Sequence, residues 1–326
     1  MITKKITDLS NQLAKSRSST IITYLTTDKK PEQFFRTIIA SDILPIFAEQ
    51  LLALGKQKKI SIFLQSNGGF LETPWPLVNL IREYCEELEV ILPDKALSAA
   101  TLISLGADKI IMTPSSLLSP VDPAGELQIS DKIKKNIQVE DVAGFIDFAK
   151  EIGIKKEEQL VECIKMLGTE IPPTFLGSIY RTKKLISSLT NRLLKLHKIK
   201  LTEERMKLIE EKMTKDLFAH NHYINRREAR EDLKLDNIIV DAKEDEEKLI
   251  HEIYNLYSKQ LELDKEFNPK NFLGTNTSRK YTLKRSIIDS NAFSYAFISD
   301  YDISTMEGKY NILNVSNNWK KLRGRG

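Results

Sequence analysis

Apolar positions fall first into short runs and later into wider helical faces, and this change of rhythm organises the chain. Thr20–Leu25 is an apolar, β-branched run of strand character, preceded by a short polar helix over residues 8–18. Ser41-Asp42 offers a cap for a helix that continues through Leu51 and Leu52 and stops at Gly55. The alternation then becomes regular. Strand 60–65 runs into Gly68-Gly69, and Thr73-Pro74 opens a helix with Val78, Ile81 and Tyr84 on one face. Strand 89–92, helix 98–106 and strand 109–112 follow. Strands and helices alternating at these lengths predict an α/β fold with right-handed crossovers and a mostly parallel sheet.

After Pro123 the spacing turns helical, over roughly 140–152, 156–167, 178–197 and 202–216. Arg226–Ile239 reads as a last helix–strand element, and 245–264 as a charged amphipathic helix. From 267 onward Asn, Ser, Thr, Tyr and Lys dominate, with strand-like pieces such as Ala292–Ile298. The expected divisions are an N-terminal helix (1–18), a main domain (19–243), a charged helix (244–265) and a C-terminal extension (266–326).

Composition narrows the class. The 326 residues are 41% hydrophobic and 29% charged, which fits a globular chain. The apolar runs are too short to span a bilayer, and Met1–Lys5 leads into a polar segment without the marks of a signal peptide. Cys85 and Cys163 have no metal-ligand spacing, so neither a disulfide framework nor a zinc site is expected, and a reducing cytoplasm is the expected compartment. No cofactor is expected. Residues 251–326 hold 12 Lys/Arg against 8 Asp/Glu, which is the whole net charge of +4. The main body therefore gives no case for nucleic acid or membrane binding, whereas the basic end, Trp319-Lys-Lys-Leu-Arg-Gly-Arg-Gly326, could contact an acidic partner. Aromatic residues in 266–326 argue against a disordered tail. They leave a packed β-rich appendage or an adaptor surface as its two readings.

Two places carry candidate chemistry. Ile60–Gln65 leads through Ser66-Asn67 to Gly68-Gly69, and Ser98 stands at the mouth of a run of small residues. Backbone N–H groups freed near glycines and at a helix start can hold a developing oxyanion, and a serine there can attack a carbonyl. Ser98 is thus a candidate nucleophile, with Gly68, Gly69 and Ala99 as oxyanion candidates. The bland alternatives are an N-cap serine and a tight turn with positive φ. His220 and His222 are candidates for the general base, as are lysines held in buried positions, with Lys150, Lys183 and Lys184 next in line. Asp122 either lines the site or fixes its Pro-bounded turn.

Asn67-Gly-Gly69, the block from Ala96 through Ser98-Ala-Ala-Thr101 to Met112, and Leu118-Ser-Pro-Val-Asp-Pro123 resemble the serine dehydrogenase proteinase family. That family is similar to signal peptide peptidase A and belongs to the Clp-peptidase/crotonase superfamily. Ile224–Asp236 resembles the superfamily's closing element. The resemblance implies a spiral of ββα units with a helical C-terminal half, Ser98 as nucleophile, Gly69 and Ala99 as oxyanion donors, and homo-oligomers acting on a peptide or protein substrate. It does not supply the base. The Clp histidine would fall near Val121-Asp122 and the signal peptide peptidase lysine near Thr174, and the types do not match. Asp232-Leu-Lys stands where Gly-Leu is usual, Ser119 where Gly is, and Ala124 where Gln is. The expectation is a serine peptide hydrolase. Its alternatives are a catalytically degenerate scaffold or adaptor on the same fold and acyl-CoA chemistry, against which Ser98 argues.

Overall fold

The first strand, β1 (Thr20–Thr26), buries Ile22 and Tyr24 on one face and Ile21 and Leu25 on the other. A strand apolar on both faces belongs inside a covered sheet. The computed structural model, which describes residues 2–121, 124–130, 133–214 and 222–322, places it there. The chain continues through α2 (Glu32–Phe35) and α3 (Leu44–Leu54) to β2 (Gln57–Gln65), α4 (Pro74–Arg82), β3 (Cys85–Leu92) and β4 (Lys95–Ala96). Next come α5 (Ala99–Leu105), β5 (Lys109–Met112) and β6 (Leu117–Leu118). Strands β1, β2, β3 and β5 lie side by side in parallel. Period-two alternation then sorts their side chains, with Ile60, Ile62, Val90 and Ile110 on one face and Phe63, Ile91 and Ile111 on the other.

Beyond Pro123 stand a hairpin of β7 (Ala124–Ser130) and β8 (Ile133–Gln138), then α6 (Val139–Glu151), α7 (Glu157–Glu170), α8 (Pro173–Leu194) and α9 (Glu203–Thr214). The short β9 (Ile224–Asn225) pairs with β6, and after α10 (Arg226–Glu231) β10 (Ile239–Asp241) joins the edge of the main sheet beside β5. Helix α1 (Ile2–Arg17) precedes β1 and covers one sheet face with α11 (Glu244–Leu261), while α3, α4, α5, α8 and α9 cover the other. Arg17 joins the first of these layers. Its guanidinium bonds Glu89 of β3, with Nε 3.1 Å from Oε1, and Glu246 of α11 at 3.1 Å. Both carboxylates are almost wholly buried, so each needs that cation.

Two expectations are corrected. Ser41-Asp42 does not cap a helix: the pair sits in a 3-10 turn, and Asp42 instead accepts from the Trp319 indole at 2.8 Å. The C-terminal strands are also far longer than the pieces read from the sequence. After α12 (Pro269–Leu273), β11 (Ser278–Asp289), β12 (Ser294–Met306) and β13 (Lys309–Leu322) form an antiparallel meander. β11 pairs with β1, so the strand order is β10-β5-β3-β2-β1-β11-β12-β13. Their polar outward faces hid their full length. The tight connection at Glu307-Gly308, both at positive φ (50° and 77°), has the two-residue hairpin form whose twist suits antiparallel strands. Among the described residues no helix is long and apolar enough to cross a membrane.

Candidate active site

Strand β2 ends in a segment gripped on both sides. Ser66 exchanges backbone hydrogen bonds with Lys95 and Leu97, both at 3.0 Å, while Ile39 donates to the Gly68 carbonyl at 2.9 Å and accepts from Phe70 at 2.9 Å. The two glycines are needed for different reasons. Gly68 lies at φ +92°, and a Cβ on it would fall 2.5 Å from the Leu97 oxygen and 2.8 Å from the Ser98 Cβ. A Cβ on Gly69 would fall 2.1 Å from the Ile39 oxygen, a backbone atom with no room to yield. Positive φ explains the first and close backbone approach the second.

Ser98 is the N-cap residue of α5 by position but not by behaviour. A capping serine has extended backbone angles and its hydroxyl accepts from the next turn. Ser98 has φ 52° and ψ −115°, and its side chain makes no cap hydrogen bond. Such a conformation is strained for a residue with a Cβ, and strained turns of this kind raise nucleophilic serines out of the sheet in hydrolases. Its surroundings hold it there. The Ser98 N–H donates to Ser119 Oγ at 2.9 Å, and the Thr101 hydroxyl lies 2.8 Å from the Ala96 carbonyl and 2.9 Å from that of Ser119. Among the described residues, the backbone N–H groups of Gly69 and Ala99 have no acceptor.

Ser98, Gly69 and Ser119 share a pocket of about 1000 Å³ with Lys95, Tyr223 and Arg36. Arg285, Phe297 and Trp319 of the meander form another part of its wall, a contribution the sequence reading missed. The missed signal was the aromatic spacing of β12 and β13, where Phe297 and Trp319 are cross-strand partners with ring centroids 5.3 Å apart. Lys95 was missed as well. It ion-pairs with Asp28 inside the pocket wall. Burial works against its charge, but the Asp28 hydrogen bond and charge, with the electrostatic effect of Asp94 and Tyr223, outweigh this and raise its pKa. Lys95 is therefore a fixed cation near neutrality rather than a proton acceptor.

The base candidates are less gathered. His222 bonds Glu228 through Nε2 and is not among the residues that line the pocket, although its neighbour Tyr223 is. His220 and Asp122 lie outside the described residues. Lys150 and Lys184 are exposed and Lys183 is half-buried, so none is a buried lysine. Among the described residues no group of three or more His, Cys, Asp or Glu side chains is placed to hold a metal ion.

The chain is distantly similar to known proteins. An uncharacterised protein of Methanocaldococcus jannaschii is 26% identical over 227 residues, which are 68% of this chain and 69% of the relative. A second uncharacterised protein of that organism is 22% identical over 198 residues, 61% of this chain and 56% of the relative. Among solved structures, ClpP1 from Listeria monocytogenes is similar at 16% identity, covering 75% of this chain and 99% of its own, with a TM-score of 0.38. Residues 4–170, just over half of the chain, match a protein family and include Ser98, both glycines and Ser119. The chain belongs to the ClpP-like SDH-type serine proteinases, and its mixed α/β fold is of the Clp-peptidase type.

Proposed function

We propose that this protein hydrolyses peptide bonds through an acyl-enzyme formed on Ser98. The observation that carries the reading is the strained, positive-φ backbone of Ser98 on the wall of the large pocket. In the first half-reaction Ser98 Oγ bonds to the peptide carbonyl carbon and loses its proton to the base. The oxyanion takes hydrogen bonds from the N–H groups of Gly69 and Ala99, and the base then protonates the departing amine. In the second, the same base deprotonates water, which attacks the ester, and Ser98 leaves with the proton. His220 and His222 remain the histidine candidates for that base. Lys95, held charged by Asp28, supplies a positive field instead.

The protein also assembles with itself in this reading. Phe148, Ile152, Ile164, Met166 and Tyr180, on and beside helices α6–α8, are each at least half exposed, and apolar surface on this scale calls for a partner. A second reading keeps the assembly and drops the chemistry: a scaffold that has lost its base. It draws on the pocket's lack, among the described residues, of any histidine or unpaired lysine. Hydrolysis of a fluorogenic peptide mixture separates the two. Activity that falls by about 10³-fold or more in Ser98→Ala fits the enzyme, and no activity in the unaltered chain fits the scaffold.

A further inference from the structure

We infer that the wall of the Ser98 pocket shared by Arg36 and Arg285 binds a carboxylate carried by the peptide substrate, so that the C-terminal meander helps set specificity. The inference rests on the proposed peptide-binding role of that pocket.

Arg285 projects from β11 and is half-buried, yet no carboxylate among the described residues pairs with it. Its acceptors are neutral: the Phe35 carbonyl at 2.9 Å, the Arg36 carbonyl, and Ser299 Oγ and Asn317 Oδ1 at 3.4 Å each. A guanidinium has five N–H donors, so one on Nη2 is left over. Burial pushes the Arg285 pKa down, as expected for a cation removed from water without an anion. Buried cations normally have such a partner.

The Arg36 guanidinium, on the loop that Arg285 grips, makes one hydrogen bond, to the Asn67 carbonyl at 3.3 Å, and no ion pair among the described residues. Two further groups on the same pocket wall are unpartnered among the described residues. The Thr37 hydroxyl and Asn67 Oδ1 are both buried without a hydrogen bond, and Thr37 itself is 8% exposed. A hydroxyl and an amide oxygen beside two guanidinium groups suit a peptide: the amide oxygen accepts a peptide N–H, and the cations take the carboxylate. The other charges of the pocket do not fill this role. Lys95 is paired with Asp28, Asp42 accepts from the Trp319 indole, and Glu32, on the exposed side of α2, is not within ion-pair distance of either arginine.

The test uses the Ser98→Ala chain, in which turnover is blocked, and three fluorescently labelled pentapeptides followed by anisotropy. One is capped at both ends with a central Glu, one is its Gln twin, and one is the Gln peptide with a free C-terminal carboxylate. The Glu peptide should bind at least about tenfold tighter than its twin, less so as salt rises, and Arg36→Gln should collapse the difference. Arg285→Gln should do the same; because Arg285 also holds the 35–36 loop, the exposed Arg36 keeps the test valid if that variant misfolds. Preference for the free C-terminus alone would support the subsite and place the carboxylate at the chain end. Equal binding of all three peptides, no binding of any, or a Glu preference untouched by Arg36→Gln would overturn the inference. Binding needs no catalysis, so these outcomes stand apart from loss of hydrolysis or of covalent labelling at Ser98 in the unaltered chain.

Discussion

At Gly69 a single missing side chain decides whether the site exists. A methyl there would sit 2.1 Å from the Ile39 carbonyl oxygen, and on Gly68 it would add a positive-φ penalty to contacts with Leu97 and Ser98. Gly69→Ala should therefore destabilise the fold by roughly 2–4 kcal/mol, measured by urea unfolding. A drop in activity without a shift in midpoint would contradict the packing argument. Gly68→Ala should act mainly through the backbone, by about 1–3 kcal/mol, and should move Ser98 with it. The pairing of a strand, two glycines and a serine was legible in the sequence because short-range spacing reports turns and helix starts. The strain at Ser98 was not, since φ 52° comes from the grip of Ser119 and Thr101 on the following turns. Nor was the state of Lys95, whose partner Asp28 is distant in sequence.

At the scale of elements, the join between α5, β5 and the end of α8 is sensitive to acid. His197, just past α8, is 2% exposed, and its Nε2 lies 2.6 Å from the Leu105 carbonyl. Burial lowers its pKa despite that hydrogen bond and the nearby Asp108. The depressed value means that the unfolded chain takes up the proton first. The stabilisation is therefore complete above the unfolded pKa of about 6.5 and is lost as pH falls through the lower folded value. Asp108 titrates in the same sense further down. Burial opposes its charge, but the N–H groups of Leu88 and Lys198 and the Arg82 guanidinium prevail and hold its carboxyl below the usual range. Thermal stability should accordingly fall between pH 7 and pH 5, and His197→Gln should flatten that slope. An unchanged slope would remove His197 from the account. The helical half was readable because faces repeat every three to four residues: 202–216 was expected and Glu203–Thr214 is found. The β character of the C-terminal extension was readable too, but the length of its strands was not, because β13 is exposed along most of its length and lacks the alternation that marks a half-buried strand.

Across the whole molecule, the meander is a structural part of the sheet as well as a wall of the pocket. Residues Thr23–Thr26 of β1 pair with β11, and Lys29, 2% exposed, donates to the Glu262 and Lys265 carbonyls at 3.2 and 2.7 Å. A chain ending at residue 265 would expose the β1 edge together with Leu25 and Phe35, and unpaired apolar edges aggregate. It should be insoluble, or change its oligomeric size in sedimentation. A soluble, active truncated form would contradict the role given to β11–β13. The 326-residue chain should sediment as an assembly at micromolar concentration, and replacing Ile152 and Met166 with Lys should shift it toward monomer. A monomer at every concentration would remove the self-association part of the proposal.

The claim on which the rest depends is that Ser98 acts as a nucleophile, and covalent labelling of the intact chain tests it most directly. After treatment with a fluorophosphonate, intact mass should show one adduct, peptide mapping should place it on Ser98, and Ser98→Ala should show none. An adduct that persists in Ser98→Ala would contradict the assignment. So would an unlabelled Ser98 in protein shown to be folded and assembled.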